Sequence, residues 1–502
     1  MKAVEVSNLS FTYPNGVRAL NDVSFSVDKG KFLLVAGVSG SGKSTLSRLI
    51  SGVEPGMGKG RVSGTIKVLG QQALKDGKLK KPKGIGLVLQ NPTSQLLDLT
   101  PFECISDILL QNGNGNVEGK AKEILRAVGL EKLINSYIFS MSDGERQRLA
   151  LAQVLALDPE ILVLDEPLAH LDPKASREFS LLLRRMVSSG KAVIVFEHRL
   201  EFLYDLSDQI MILRQGRVVY SGNPRRAFNG LNDGLTPSPL LLARRLKLQD
   251  VFSREEIMKA LEKMKVKRDT VRDDIGEEVL RLEGVEFERR GKKILDGIDL
   301  SLKRGEKLAL VGENGSGKTT LSLIAVGLLK PTKGKIVRRG TPMILFHPPE
   351  VQIFETSLKD MVGKEGITLL GLEERRDAHP MALSKGERLR AVLLSILRKG
   401  PEILFLDEPT VGQDIKALDS VMKFVKPLID KGGVLLFATH DLSFVAKYAD
   451  RVVRLKEGRV IFDGPVEEYF ASENYFPRPF IVEASLKKAG RVALRVEEIY
   501  HA

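Results

Sequence analysis

One nine-residue pattern occurs twice in this chain and limits what it can fold into. It reads Gly37-Val38-Ser39-Gly40-Ser41-Gly42-Lys43-Ser44-Thr45, and again Gly312-Glu313-Asn314-Gly315-Ser316-Gly317-Lys318-Thr319-Thr320. Both copies fit G-x-x-x-x-G-K-[ST], a turn that cradles phosphate. Apolar residues 32–36 and 308–311 precede the copies. Apolar residues at helical spacing follow them (Leu46, Leu49, Ile50; Leu321, Ile324, Leu328). Strand, loop and helix in that order are what the turn requires. Its glycines let the backbone curl so that successive N–H groups face phosphate oxygens. The helix N-terminus adds partial positive charge. Every residue of the two loops is therefore a nucleotide-binding candidate. Lys43 and Lys318 are expected to reach the β- and γ-phosphates, and Ser44 and Thr319 to offer hydroxyls to Mg²⁺.

The repetition extends beyond the loops. Residues 4–27 and 279–302 share a strand-like opening, a turn and a second strand. Met141-Ser142-Asp143-Gly144-Glu145-Arg146 answers Leu383-Ser384-Lys385-Gly386-Glu387-Arg388. Leu164-Asp165-Glu166-Pro167 answers Leu406-Asp407-Glu408-Pro409, and Phe196-Glu197-His198 answers Ala438-Thr439-His440. The step between copies is 275 residues at the lysines but 242 at the serines, aspartates and histidines. A whole domain is duplicated, and the first copy is longer between its lysine and its serine. The expected division is a first domain at 1–225, a partly helical linker at 226–278, a second domain at 279–465 and a tail at 466–502. In the linker, Ser238-Pro239 reads as a helix start and Ser253-Arg254-Glu255-Glu256 as a capping box. The tail is basic (Lys487, Lys488, Arg491) and carries no legible role.

Composition narrows the class. At 502 residues, 43% hydrophobic and 28% charged, the chain can bury ample core. One cysteine, Cys104, excludes an internal disulfide and a cysteine cluster. No run approaches 18 apolar residues, so no spanning helix is expected. The opening Met1-Lys2-Ala3-Val4-Glu5-Val6 alternates like a strand, not like a signal peptide. The net charge of +13 suits an acidic partner, an anionic membrane surface or RNA. Its densest run, Lys75, Lys78, Lys80, Lys81 and Lys83, has no interleaved aromatic residue and reads as a solvated loop.

Ile161-Leu162-Val163-Leu164 and Ile403-Leu404-Phe405-Leu406 read as strands buried on both faces of a parallel sheet. Each ends in Asp-Glu, at the carboxyl edge where α/β sheets bind ligands. Asp165 and Asp407 can hold Mg²⁺. Glu166 and Glu408 can polarise the water that attacks a γ-phosphate.

Phosphate loop, Ser-x-Gly-Glu, Asp-Glu after an apolar strand and a later His together resemble the ATP-binding-cassette ATPases, twice in one chain. The resemblance covers most of residues 1–225 and 279–465. It implies an α/β fold of two tandem P-loop NTPase domains, each with a mixed, largely parallel sheet core and a helical signature subdomain. It implies ATP and Mg²⁺ as cofactors. It also implies that the cassettes work head to tail. One site would combine Lys43, Ser44, Gln90, Asp165, Glu166 and His198 with Ser384 and Gly386. The other would combine Lys318, Thr319, Asp407, Glu408 and His440 with Ser142 and Gly144. Gln90 would be a metal ligand, and His198 and His440 would contact the γ-phosphate. Tyr13 would stack on adenine; its counterpart is Arg289. Asp172 and Asp414 match the loop that links the two sites, with Gln413 in place of the usual leucine. The signature departs from Leu-Ser-Gly-Gly-Gln, and the second copy carries Phe346-His347-Pro348-Pro349 where the first has Leu89-Gln90-Asn91-Pro92. Imidazole is a poor ligand for Mg²⁺, so unequal sites are expected.

Residues 90–97 and 347–354 share Pro-x-x-Gln-apolar-apolar. This resembles the ATPases of energy-coupling-factor importers for vitamins and metal ions. The resemblance implies a place on the cytoplasmic face of the membrane, with integral-membrane components docking near the Gln90 and His347 loops, and no nucleic acid. Two alternatives remain: a cassette pair acting on ribosomes or nucleic acid, and a sugar-importer ATPase.

Overall fold

The computed structural model describes residues 1–53, 60–89, 96, 99–113, 115–169, 171, 173–229, 235–261, 264–266, 276–289, 291–313, 315–411, 413, 415–472, 478–489 and 491–501. They form two compact units, Met1–Pro237 and Ser238–Ala502.

The first unit is built on a six-stranded sheet. Its strands lie in the order Arg217–Gly222, Gln209–Arg214, Phe32–Ala36, Ala192–Glu197, Ile161–Asp165, Ile85–Val88. All neighbours are parallel except the edge strand Arg217–Gly222. Every residue of Phe32–Ala36, Ile161–Asp165 and Ala192–Glu197 is buried, which is why these runs are apolar without alternation. Burying each large apolar side chain stabilises by roughly 2 kcal/mol before conformational entropy is counted. The register pairs Ala36 with Glu197 and Asp165 with Phe196. One carboxyl edge therefore carries the phosphate loop, Asp165-Glu166 and His198. An antiparallel sheet, Arg18–Asp28, Lys2–Thr12, Arg61–Val68, Gln71–Lys75 and Lys78–Leu79, shares the core around Val6, Leu9 and Phe25. Here the lysine run departs from the expected loop. Leu74 pairs with Leu79 and Lys75 with Lys78 in a hairpin whose leucines turn inward. Helices Pro101–Gln111, Val117–Ala127 and Asp143–Leu155 make the helical part, and Cys104 is buried in the first of them.

The second unit repeats the plan. Its six-stranded sheet runs Arg459–Pro465, Arg451–Lys456, Lys307–Val311, Val434–Ala438, Ile403–Asp407, Pro342–Leu345, the same order as in the first unit. Lys292–Lys303, Glu278–Arg289 and Lys333–Arg338 form the antiparallel sheet. The linker and the tail are built together within this unit. Helices Ser238–Arg245 and Arg254–Ala260 pack beside Phe480–Ala489 and Met264–Val266 pairs with Ile499–His501. Arg245 donates to the carbonyls of Ile499 (2.7 Å) and Glu497 (2.6 Å). Arg254 bonds Glu483 and lies over the buried Phe480 ring, 5.0 Å from its centroid. The Ser253 capping box forms as its sequence implies. Among the described residues, no helix is long and apolar enough to cross a membrane.

Candidate functional site

Described glycines of the two phosphate loops have matching backbone angles, as at Gly40 (φ 77°) and Gly315 (φ 81°). Gly42 (φ 103°) and Gly317 (φ 105°) open helices Lys43–Ile50 and Lys318–Val326, and no side chain caps either helix. A Cβ on Gly42 would sit 2.5 Å from the Ala19 carbonyl oxygen, so glycine is needed for space as well as for φ. Lys43 Nζ folds back on the carbonyls of Gly37 (2.6 Å) and Val38 (3.1 Å), and Lys318 Nζ on those of Gly312 (2.8 Å) and Glu313 (3.0 Å). Burial lowers the pKa of Lys318 against the pull of Glu408 and Asp407. Ser41 Oγ and Ser316 Oγ are buried with no hydrogen-bond partner. Orphaned hydroxyls, uncapped helix N-termini and a buried lysine fit a phosphate chain.

The acidic residues stand at the adjoining strand ends. Ser44 Oγ donates to Asp165 Oδ1 (3.1 Å), and Thr319 Oγ1 lies 3.1 Å from both Asp407 oxygens. Burial, then the neighbouring Glu166, pushes Asp165 up to about 6. Burial and Glu408 push Asp407 up to about 6. Among the described residues, no cluster of three or more His, Cys, Asp or Glu could hold a cation alone. A hydroxyl–carboxylate pair that leaves other positions to phosphate oxygens and water fits Mg²⁺.

Glu166 (φ 45°) and Glu408 (φ 47°) occupy left-handed backbone, a strained conformation for glutamate. Their N–H groups bond Phe196 O (2.8 Å) and Ala438 O (2.9 Å), which fixes the turn. The copies then diverge. Glu408 Oε2 lies 3.0 Å from His440 Nδ1. Burial raises Glu408, but His440 and Lys318 outweigh it and leave its pKa lowered. Glu166 Oε1 lies 3.7 Å from Lys43 Nζ and 3.5 Å from His198 Nδ1. Glu197 Oε1 lies 3.3 Å from the same Nδ1. Burial pulls the His198 pKa down, but the two glutamates outweigh it, so the net shift is upward.

Ser142 and Ser384 are the N-caps of helices Asp143–Leu155 and Lys385–Leu397. Each forms a full capping box with Glu145 or Glu387. This explains why glutamate can end the signature: Ser-x-x-Glu closes the helix start on itself, a signal legible in the sequence. Gly144 and Gly386 follow in the first turn. A Cβ on Gly144 would lie 3.2 Å from Ala175 Cβ, and one on Gly386 would lie 3.2 Å from Gln413 Oε1. Tyr13 stands beside the first phosphate loop. Its hydroxyl bonds Thr45 Oγ1 (2.8 Å) and its ring meets Phe11 edge-on at 4.9 Å. Arg289 ends its strand exposed. His347 is exposed at the surface, and desolvation by the atoms packed around it lowers its pKa. Gln90, Asn91, Pro92, Asp172, Asn314 and Asp414 lie outside the described residues. Sequence reasoning missed Glu197 and the role of Gln352. Gln352 Oε1 accepts from Phe346 N (2.8 Å) and its Nε2 donates to Ile344 O (2.8 Å), clamping the His347 loop to its strand.

Comparison with known proteins agrees with this geometry. The model of the ABC transporter family matches residues 20–169 and 295–411. A protein of Methanosarcina mazei, provisionally named an ABC transporter ATP-binding protein, is 32% identical over 97% of this chain and 94% of its own length. One of the same description from Caldanaerobacter subterraneus subsp. tengcongensis is 30% identical over 99% and 98%. The solved structure titled RNase-L Inhibitor shares the fold, with a TM-score of 0.61, 21% identity and coverage of 93% and 92%. Domains of this family bind ATP, generally with Mg²⁺. The chain belongs to the ABC transporter ATP-binding family and is a tandem ABC-type ATPase.

Proposed function

We propose that this ATPase is the energy-coupling subunit of a membrane importer of the energy-coupling-factor type, working at the cytoplasmic face of the membrane on vitamin or metal-ion uptake. In this reading Lys43 and Lys318 hold the β- and γ-phosphates. Ser44 with Asp165, helped by Gln90, and Thr319 with Asp407 hold Mg²⁺, which when bound neutralises phosphate charge. Glu166 and Glu408 orient the attacking water, and His198 and His440 face the γ-phosphate. Tyr13 serves adenine. Ser142 with Gly144 and Ser384 with Gly386 present helix N-termini to a terminal phosphate. Catalysis is positioning and charge neutralisation more than covalent chemistry.

The ATPase role rests on two matched hydroxyl–carboxylate pairs beside two phosphate loops. The importer role is carried by the Gln352 clamp. Gln352 ties the far end of the loop back to its strand, and Val351, 58% exposed, and Phe354, 84% exposed, face solvent. A pinned loop that displays a large apolar side chain suits a helix of a membrane partner. Relatives of this length named for ABC transporters support the same reading.

The test is purification of the tagged full-length chain from native membranes in mild detergent. A multi-span membrane protein is expected to accompany it, and Val351→Ser with Phe354→Ser is expected to cut its recovery. Recovery with ribosomes or nucleic acid, and none with membranes, overturns the importer role and leaves the ATPase in place.

A further inference from the structure

The two copies differ beneath their histidines. In the second, Thr439 occupies the position before His440, and its hydroxyl lies 2.9 Å from Thr410 Oγ1 and accepts from Asp441 N (3.0 Å). In the first, the matching residues are Glu197 and Leu168. Glu197 is fully buried. Its Oε1 accepts the backbone N–H of His198 (2.8 Å) and Arg199 (3.0 Å), and its Oε2 accepts that of Leu168 (3.3 Å). A buried carboxyl group is costly unless each oxygen has a donor. These three donors meet that need and hold both oxygens in place. Oε1 lies 3.3 Å from His198 Nδ1, closer than Glu166 Oε1 at 3.5 Å. In the second copy, Thr439 puts no carboxyl group there, and Glu408 faces His440 Nδ1.

We propose that Glu197 is a positioning residue of the first ATP site, holding His198 with Nδ1 turned into the protein and Nε2 turned toward the γ-phosphate. A carboxylate at Nδ1 favours a proton there and fixes the ring. Glu166 then shares the hold on His198 Nδ1 with Glu197 while it orients water, whereas Thr439 gives Glu408 no such partner at His440 Nδ1. The first site is thereby specialised, and Glu197 ties the segment after Glu166, at Leu168, to the base of the histidine. Lys43 and Arg199 are the other charged groups here: Lys43 Nζ faces Glu166, and Arg199 Nη1 lies 3.4 Å from Leu168 O. The inference rests on the reading that His198 meets the γ-phosphate.

The experiment compares full-length Glu197→Gln, His198→Ala and the double variant by steady-state ATP hydrolysis and thermal unfolding. Glu197→Gln is expected to lower kcat roughly tenfold with KM for ATP within about twofold, as for other groups that orient a reacting side chain. It should add little to the loss in His198→Ala. Glu197→Thr with Leu168→Thr rebuilds the threonine pair of the second copy, guards against misfolding and should lose activity similarly. Unchanged kcat in either folded variant, or a loss that adds fully to that of His198→Ala, overturns the proposal. If His198→Ala alone leaves kcat unchanged, the γ-phosphate reading fails first, and the two failures are distinct.

Discussion

Asp165 and Asp407 show what one buried carboxyl group does before any ligand arrives. Each rises from 3.8 to about 6 because burial disfavours its charge. The sign follows from linkage. Between about pH 4 and about 6 the folded chain keeps protons that the unfolded chain has released, so stability falls as pH rises through that window. With EDTA present, urea unfolding is expected to show this loss, and Asp165→Asn with Asp407→Asn to flatten it. A slope that persists in the double variant would place its origin elsewhere. Mg²⁺ favours the charged form, so its addition should restore stability above pH 6. At Gly42, φ of 103° and a Cβ contact of 2.5 Å both exclude alanine. Gly42→Ala is expected to abolish nucleotide binding by the first loop, read by a fluorescent ATP analogue, in a chain with Lys318→Ala. Lys43→Ala and Lys318→Ala should each weaken hydrolysis strongly. The meeting of lysine, serine and aspartate at one sheet edge was legible because the motif spacing dictates it. Glu197 was not, because its importance comes from three backbone donors that only the folded turn brings together.

At the scale of elements, apolar runs without alternation were legible as buried parallel strands. Their carboxyl ends placed Asp165 and Asp407 correctly, since sheet direction fixes where strand-end residues gather. The hairpin at Lys75 and Lys78 was not legible. Its two short strands are held by the pairs Leu74–Leu79 and Lys75–Lys78, and lysine on an edge strand looks locally like a loop. Linker and tail escaped for a different reason. They lie more than 200 residues apart, yet Arg245 and Arg254 join them to Glu497, Ile499 and Glu483. No local pattern reports such a pairing. Phe480→Ala removes a buried ring and its Arg254 contact, and should destabilise the second unit by about 3 kcal/mol. Urea unfolding of the full chain checks this, and a change under about 0.5 kcal/mol would mean that the module is only loosely packed.

For the whole molecule, duplication is the organising fact. Two units keep one strand order and one loop geometry, while substitutions set the copies apart: Glu197 against Thr439, Leu168 against Thr410, Arg199 against Asp441, Tyr13 against Arg289. Mutations at matching positions are therefore not expected to cost the same. Lys43→Ala should reduce turnover more than Lys318→Ala if the His347 site is the lesser one, and equal losses would argue for equivalent sites. The most direct test of the account is steady-state ATP hydrolysis by the full-length chain with Glu166→Gln, with Glu408→Gln and with both. Each single variant should lower turnover while ATP still binds, and the double variant should abolish it, because both glutamates stand at strained turns beside a phosphate loop and a histidine. Turnover unchanged in the double variant would contradict the assignment of these residues to the chemistry.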